Sequence, residues 1–414
     1  KGATVLRHSP TIITGVLFVS VFLGVLDPGM VAPALTAIIQ EWSVPYHWGI
    51  WTVTLYLFAF VVSVPLVRSL AKKYGRQYIM WVSLSLFGVG ALCSGFSPNF
   101  TVLLVGRFLQ GIAGGGLLTL SSSVLIRRGT ERRIGTTAAL LAAGAILAFL
   151  LGSVFVTILA WRWVFYTQMV VAFCAAALAW CRPTQTASLR KPLDGAGIAL
   201  FTCMLLCLMV GFTSIKLERF WQSLFSPDVF PFIVVALGLT IPFVMVEKQQ
   251  AVPVMPLPYF REQRTVLVSA ISLFSGISWG TLLFIPAFSE NTLNLQAGEG
   301  GYMLVILAVM AVVSSMTVLN IATRFGTNVP TMTGFLAAAG GYLWIGAAEL
   351  QFSGTVLAVS MVGLGLGMTM STAFKSSTVV HYFRIAGMTV GTAALVTFLT
   401  QATERIPDRV RDSL

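Results

Sequence analysis

Long apolar runs dominate this chain and limit what it can fold into. Thirteen stretches, separated by short polar breaks, are each apolar enough and long enough to cross a bilayer as an α-helix, which takes about 20 residues. They cover residues 11–39, 47–69, 78–97, 100–126, 135–160, 163–181, 194–214, 229–247, 265–288, 300–322, 329–348, 354–374 and 379–402. The expected fold class is therefore an all-α polytopic membrane protein.

The composition excludes an ordinary soluble protein. Of the 414 residues, 57% are hydrophobic and only 10% are charged, whereas soluble domains carry about 25% charged residues. The net charge of +12 does not indicate nucleic-acid binding, because the basic residues collect in alternate connections, as in the cytoplasmic loops of membrane proteins. This asymmetry predicts a multi-pass protein of the cell (inner) membrane with a cytoplasmic N-terminus. The first run is too long for the core of a signal peptide, so we expect it to be the first span.

The sequence contains no motif of an enzyme or a metal site. It has no HExxH, no Walker loop, no EF-hand spacing and no Ser/His/Asp grouping. The five cysteines lie in or beside apolar runs without zinc-ligand company. We therefore expect no cofactor, no resident metal and no enzymatic activity. The expected partner at this point is the lipid bilayer.

A weak internal repeat indicates two halves. The segment VRSLAKKYGRQYIM follows the second run, and NIATRFGTNVPTMT follows the tenth. Internal repeats are typical of secondary transporters. We expect an N-terminal six-helix bundle over 1–182, a linker with two inserted transmembrane helices over 183–259, and a C-terminal bundle over 260–414. An odd number of runs puts the C-terminal tail on the outer side, against the charge bias, so the expectation is that a final helix is missing or that one run is split or merged.

Asp27 is the only acidic residue deep inside an apolar run. A charge at the centre of a membrane helix costs about 2.5–3.5 kcal/mol on insertion scales, so Asp27 must face a cavity, pair with a cation or bind a proton. A carboxyl group that is alternately dry and wet can carry protons. The alternative is a structural carboxylate paired with a nearby arginine. Pro28, Gly29 and Pro33 are expected to kink this helix.

Arg107 is the expected partner of Asp27. It lies within GRFLQGIAGGG, where Gln110 shares its helix face and the glycines permit close helix packing. Arginine keeps its charge at any ordinary pH. The alternative is an arginine that reaches out to the membrane interface.

Three further sets of residues are candidates for roles in transport. The basic loop RSLAKKYGRQ is a topology anchor and a candidate conformational switch, with the residues Arg68, Lys72, Lys73, Gly75 and Arg76. Aromatic and methionine residues that could form an adaptable substrate cavity beside Gln110 are Trp51, Tyr56, Trp279, Met368 and Met370. A second polar site in the C-terminal half could comprise Lys375, His381 and Arg384, although these residues could instead mark a membrane boundary.

These segments resemble the major facilitator superfamily, and within it the fourteen-helix drug:proton antiporter branch. LDPGMVAPALTAI is similar to the first-helix motif LDxTIVNVALP, RSLAKKYGRQ to the loop motif GxLADRxGRR, and GRFLQGIAGGG to the fourth-helix motif with its central Arg and QG pair. WRWVF, YFREQRTVLVSAISLFSG and HYFRIAGMTVG also resemble segments of the family, and the inserted pair of helices is a hallmark of the branch. The resemblance implies two six-helix bundles, a missing fourteenth helix, and the family's embedded acid at Asp27. It also implies a small organic or lipid-like substrate, protons as the coupling ion, and a protein that acts as a monomer.

The chain departs from the branch at two motifs. Arg68 and Lys72 replace the first Gly and the acid of the loop motif, and AFLLGS stands where the fifth helix usually has GPxxGG, with Phe149 in place of the Pro. The resemblance and the residues together predict a proton-coupled exporter of amphiphilic or lipophilic organic compounds that works by alternating access. The alternatives are a lipid or lipid-conjugate exporter, an importer of a small metabolite or metal chelate on the same fold, a membrane-bound transferase, and a receptor or scaffold.

Overall fold

Helices form nearly all of the described backbone in this computed structural model. The structure describes residues 10–128, 131–180, 194–215, 219–250, 255, 257, 261–326, 328–347, 351–372 and 383–392. Its main helices are α1 (Pro10–Val31), α2 (Leu35–Trp42), α3 (Trp51–Tyr74), α4 (Arg76–Gly95), α5 (Phe100–Arg128), α6 (Glu131–Val154), α7 (Arg162–Trp180), α8 (Gly195–Thr213), α9 (Phe230–Gln249), α10 (Gln263–Thr281), α11 (Ile285–Leu293), α12 (Gly301–Phe325), α13 (Asn328–Ala347), α14 (Phe352–Thr372) and α15 (383–392). Short helices at Tyr46–Gly49 and Phe220–Leu224 lie in the connections, and a π-helical turn, Phe155–Leu159, extends α6.

The predicted all-α membrane architecture is confirmed. Within the described residues, nine helices are long and apolar enough to cross a membrane, or ten if the bent pair in α1 and α2 counts as one span. The final predicted run, 379–402, is described only at 383–392, which is helical. No described residue lies in a β-strand.

Two predicted spans are broken rather than continuous. A 3₁₀ turn at Ala32–Ala34 separates α1 from α2, and another at Leu282–Phe284 separates α10 from α11. The short helices α2 and α11, which follow these turns, are each capped by a residue in the left-handed conformation. These residues are Ser43, with φ 47° and ψ 37°, and Asn294, with φ 51° and ψ 40°. Pro33 lies in the first of these turns, and the kink expected from Pro28, Gly29 and Pro33 is confirmed. The turn at Leu282–Phe284, which lies within the candidate membrane span Thr265–Leu293, was not predicted, because an apolar run looks the same in an α-helix and in a 3₁₀ turn.

The predicted basic loop is mostly helix. Arg68, Lys72 and Lys73 lie in the last turns of α3, and only Gly75 separates α3 from α4. Lysine is a good helix former and cations are favourable at a helix C-terminus, while Gly75, with φ 94°, ends the helix in a conformation that suits glycine. Gly326, with φ 81°, separates α12 from α13 in the same way, which supports the internal repeat.

The repeat extends to side-chain packing between neighbouring helices. A Cβ added at Gly111 or Gly115 of α5 would meet the backbone of α3, at Tyr56 O and Phe60 O respectively. In the second half, a Cβ added at Gly363 or Gly367 of α14 would meet the backbone of α12, at Leu307 O and Ala311 O. The glycine pairs and their partners have equal spacing along the chain, so each half brings two helices into backbone contact by the same means.

The inserted helices α8 and α9 pack against each other and face lipid. Their bounds match the predicted runs closely, and the Phe201 and Phe243 rings lie 6.2 Å apart between them. The side chain of Asp194 caps α8 by accepting a hydrogen bond from Gly197 N at 2.9 Å. Only 17% of the apolar window of α9 is buried inside the protein, as expected for a helix whose outer face contacts bilayer lipid.

The two halves meet at the end opposite Gly75 and Gly326. A Cβ added at Gly301, the first residue of α12, would meet Ser153 of α6 and Pro33. A Cβ added at Gly298, just before α12, would meet Val156 and lie near Thr157. We call the end with Arg68, Lys72, Lys73 and Arg76 the basic end and this one the opposite end.

We predict that Gly115→Ala destabilises the protein by about 1–3 kcal/mol, because overpacking against a fixed backbone carbonyl forces helices apart. Gly238→Ala in α9 is the matched control, since a Cβ there meets nothing within 4 Å. The measurement is the apparent Tm of each purified variant in mild detergent. A Gly115→Ala protein as stable as Gly238→Ala would contradict the close approach of α3 and α5.

Candidate functional site

A bend in the first membrane-spanning segment places Asp27 inside the N-terminal half. The axis turns by 49° between Gly15–Gly24 and Asp27–Trp42. Pro28 lies inside α1, where proline removes a backbone hydrogen bond and kinks the helix. Asp27 is only 1% exposed.

Asp27 and Arg107 form a fully buried ion pair between α1 and α5. Arg107 Nη1 donates a hydrogen bond to Asp27 Oδ1 at 3.1 Å, and Arg107 Nη2 lies 2.8 Å from Asp27 Oδ2. Both side chains have 0% exposure. The guanidinium group thus approaches the carboxylate with two nitrogens, the arrangement that Arg offers and Lys does not.

Arg107 is also held by neutral acceptors and an aromatic face. Its Nε donates to Thr52 O at 2.9 Å, and its Nη1 donates to Gln110 Oε1 at 2.9 Å. The guanidinium carbon lies 4.4 Å from the ring centroid of Tyr56, a cation–π distance. Arg107 is therefore fixed by partners on α1, α3 and its own helix.

A chain of amides continues from Arg107 to α7. Gln110 Nε2 donates to Gln168 Oε1 at 2.9 Å, and Gln168 Nε2 lies 3.8 Å from Met30 Sδ. Ser94 Oγ of α4 donates to Gln110 Oε1 at 3.3 Å. The network returns to α1 at Met30, three residues after Asp27, so it joins α1, α4, α5 and α7 around one buried charge pair.

Tyr56 lies beneath the ion pair instead of on an open wall. It is fully buried, and its hydroxyl donates to Gly24 O at 2.8 Å. A Cβ added at Gly24 would lie 2.6 Å from Gly114 O, so α1 and α5 touch here through their backbones. This contact sets the separation of the helices that carry Asp27 and Arg107.

The corresponding positions of the second half carry no charge. Arg107 lies four residues before Gly111, and Val359 lies four residues before Gly363, so Val359 corresponds to Arg107. The backbone of Tyr56 faces Gly111 and that of Leu307 faces Gly363, so Leu307 corresponds to Tyr56. Ser43 and Asn294 end corresponding short helices. Asp27 lies 16 residues before Ser43 and Ser278 lies 16 residues before Asn294, so Ser278 corresponds to Asp27. The repeated backbone therefore holds a polar network in one half and mainly apolar side chains in the other.

The remaining cavity candidates that the structure describes lie on α3, α10 and α14. Trp51 begins α3 at the opposite end and is partly buried. Trp279 lies in α10, and its Nε1 is buried without a hydrogen-bond partner. Met368 packs towards α13, where its sulphur lies 3.7 Å from Thr333 Oγ1. The side chain of Met370 lies outside the described residues.

The candidate switch residues gather at the basic end. Arg68, Lys72 and Lys73 are exposed, and Lys73 Nζ lies 5.0 Å from the ring centroid of Tyr74. Arg76 is partly buried at the start of α4. Of the candidate second polar site, Lys375 and His381 lie outside the described residues, whereas Arg384 is only 6% exposed and packs against α10.

Several residues of the polar network carried no clear signal in the sequence. Gln168 and Ser94 are neutral residues in apolar helices, and Thr52 contributes only its backbone carbonyl. Glu41, at the end of α2, was also missed. Its carboxylate accepts hydrogen bonds from Trp161 Nε1 and Arg162 Nη1 of the WRWVF segment, and this links the first and sixth segments at the opposite end.

Comparison with known proteins decides the family. Residues 17–403 match the family model described as Major Facilitator Superfamily. The chain belongs to the major facilitator superfamily. It is accordingly a multi-pass membrane transporter, and the family expected from the sequence is confirmed.

Three relatives indicate the range of this family. The chain is 27% identical to the uncharacterised MFS-type transporter YfiU of Bacillus subtilis, over 96% of this chain and 81% of that protein. It is 25% identical to the multidrug transporter protein MdtP of Bacillus subtilis, over 87% of this chain and 67% of that protein. It is also 25% identical to the fatty acid resistance protein FarB of Neisseria gonorrhoeae, over 79% of this chain and 66% of that protein.

Solved structures show the same fold. The POT family transporter PepTSo matches with a TM-score of 0.65 at 12% identity, over 98% of this chain and 93% of that chain. The xylose transporter XylE from E. coli, in a partially occluded inward-open conformation, matches with a TM-score of 0.60 at 13% identity, over 95% of this chain and 91% of that chain. At this identity the likeness concerns architecture alone: two six-helix bundles.

We predict that Arg107→Met lowers the free energy of unfolding by about 3–5 kcal/mol, because it leaves the buried Asp27 without its cation. The double variant Asp27→Leu/Arg107→Met should regain much of this stability, since it removes both charges. Unfolding by SDS titration, followed by circular dichroism, gives the three values. Arg162→Met is the control, and because its ion pair with Glu41 is partly exposed, we expect a change of about 1 kcal/mol or less. A double variant less stable than Arg107→Met alone would show that the unpaired carboxylate of Asp27 is not what destabilises the single variant.

Proposed function

We propose that this transporter is a proton-coupled exporter of amphiphilic organic compounds that works by alternating access, with Asp27 as the proton-binding residue. The observation that carries the proposal is the buried ion pair between Asp27 and Arg107. A carboxylate inside the membrane-spanning bundle is an expensive feature, and such residues are by default functional.

The partners of Arg107 suggest how Asp27 could give up its ion pair with Arg107 when it binds a proton. Protonation of Asp27 neutralises the carboxylate and removes its Coulomb attraction to Arg107. Arg107 would still donate to Thr52 O and Gln110 Oε1, so it does not lose all of its acceptors when Asp27 leaves. The proposed cycle has a deprotonated state with the pair formed, as in this structure, and a protonated state in which Asp27 is free to move with the kinked part of α1.

The distribution of charge supports an orientation for this cycle. Cations concentrate at the basic end, and the positive-inside rule assigns that end to the cytoplasm of the cell (inner) membrane. The opposite end, where Gly301 meets Ser153 and Pro33, would then face outward. In this conformation the two halves are in contact on the proposed outer side, and they would separate there when substrate is released.

Membrane-soluble amphiphiles are the proposed substrates. MdtP is named as a multidrug transporter and FarB as a fatty acid resistance protein, and both names fit export of lipophilic compounds. The second candidate function, export of a lipid-like molecule, is favoured by the relation to FarB. We propose that the protein works as a monomer and needs no cofactor besides the proton.

We predict that an imposed pH gradient drives substrate flux in proteoliposomes of the wild type and that Asp27→Asn abolishes this gradient dependence. The panel should contain a lipophilic cation, an uncharged dye and a fatty acid. Asp228→Asn is the matched control, because Asp228 is exposed in the connection before α9 and should leave flux unchanged. Arg107→Ala should abolish transport while the protein still inserts in the membrane.

Two results would contradict the proposal. Gradient-driven flux by Asp27→Asn equal to that of the wild type would remove Asp27 from the coupling mechanism. Wild-type flux that follows a sodium gradient and ignores the pH gradient would remove the proton.

A further inference from the structure

Arg384 is a deeply buried cation that has no protein partner for two of its nitrogens. It is 6% exposed, and its Nε and Nη2 are buried without a hydrogen-bond acceptor. Arg107 pairs with Asp27 and Arg162 pairs with Glu41, and neither of these ion pairs involves Arg384. An unpaired buried charge is strongly unfavourable, and no described residue supplies the anion that Arg384 would need.

Further hydrogen-bond donors line the helix against which Arg384 packs. Ser269, Ser272 and Ser275 of α10 are each at most 3% exposed, and their hydroxyls have no hydrogen-bond partner. Serines in membrane helices usually donate to a carbonyl one turn earlier, as Ser278 does to Phe274 O at 3.1 Å on the same helix. Trp279 Nε1, which can only donate, is also buried without an acceptor.

The packing of α10 against α15 brings these groups to one height in the bundle. A Cβ added at Gly276 would meet Arg384 O, and a Cβ added at Gly387 would meet Leu273 O. Residues 273–276 and 384–387 therefore lie side by side. The three serines fall within about one helical turn, roughly 5 Å, of this level.

The side of α10 that carries these donors faces inward. Ser269, Ser272, Gly276 and Trp279 follow each other at spacings of three, four and three residues, so they share one stripe of the helix. Leu267 and Phe274, on the other side, are 56% and 61% exposed, as lipid-facing residues should be. Arg384 and the donor stripe of α10 thus bring one fixed positive charge and several donors to one level of the bundle, and no described carboxylate pairs with Arg384.

We propose that Arg384, with Ser269, Ser272, Ser275 and Trp279, forms a binding site for the oxyanion headgroup of an amphiphilic substrate, in the first instance a carboxylate. Guanidinium groups bind carboxylates through two parallel hydrogen bonds, and hydroxyl and indole donors can take the remaining lone pairs. This inference rests on the proposed export of amphiphiles and narrows the substrate class. It also separates two tasks, since the proton site lies in the N-terminal half and the headgroup site in the C-terminal half.

The test is equilibrium binding of radiolabelled dodecanoate to the purified transporter in nanodiscs, by scintillation proximity. Dodecyl phosphate, dodecanol and dodecyltrimethylammonium serve as competitors of equal chain length. We expect displacement by dodecanoate and dodecyl phosphate at concentrations about tenfold or more below those needed for dodecanol or the cation, given the strength of charge-assisted hydrogen bonds. Displacement by dodecanoate but not by dodecyl phosphate would restrict the site to carboxylates.

Variants then assign the effect to the cluster. Arg384→Gln should weaken dodecanoate binding about tenfold or more and leave the competition by dodecanol unchanged, and Arg384→Lys should be intermediate because it keeps the charge without the fork. Arg324→Gln is the matched control, an exposed arginine at the end of α12. If Arg384→Gln does not fold, Ser272→Ala/Ser275→Ala replaces it, with Ser278→Ala as control.

Equal dodecanoate affinity in the wild type and Arg384→Gln would overturn the proposal, as would dodecanol competing as well as dodecanoate. In the second case the unpaired donors would be satisfied by water. Binding is read without a pH gradient or flux, so the result is independent of whether Asp27 carries the coupling proton.

Discussion

The N-terminal half is organised around one requirement, that the charges of Asp27 and Arg107 meet where water is scarce. In a low-dielectric interior neither charge is tolerable alone. The backbone contact between Gly24 and Gly114 brings α1 close enough to α5 for the pair to form, and Tyr56 fills the space beneath it while donating to Gly24 O. Glycine packing in this half therefore does more than bind helices together, because it fixes the distance between two charges.

The two halves show how a repeated backbone can carry different chemistry. Gly111 and Gly363 perform the same packing task against α3 and α12, yet Arg107 is matched by Val359 and Tyr56 by Leu307. The buried cation of the second half, Arg384, lies on α15 and does not occupy the position that corresponds to Arg107. Duplication supplies the scaffold and its pseudo-symmetric motion, whereas the polar groups are specific to each half.

Physical reasons separate what the sequence could predict from what it could not. Hydropathy located the helices because a bilayer demands about 20 apolar residues per span, and a charge inside such a run identified Asp27 and Arg107. The prolines Pro28 and Pro33 indicated the kink in the first segment. The break at Leu282–Phe284 was missed because a 3₁₀ turn can be as apolar as its flanks. Gln168 was missed because a neutral amide in a helix is informative only once its partner is known.

A short stretch of chain connects the buried ion pair to the contact between the halves at the opposite end. The ion pair lies wholly within the N-terminal half, so a rigid rocking of one half against the other would neither make nor break it. Pro33, only six residues beyond Asp27, contacts the site where Gly301 begins α12, and Pro28 lies between them. In the second half, Glu290 Oε1 accepts hydrogen bonds from Gly298 N at 2.8 Å and Gly300 N at 3.2 Å, which holds the facing loop to its own bundle. If Asp27 is the proton site, its release from Arg107 would therefore act on the contact between the halves through the kink at Pro28.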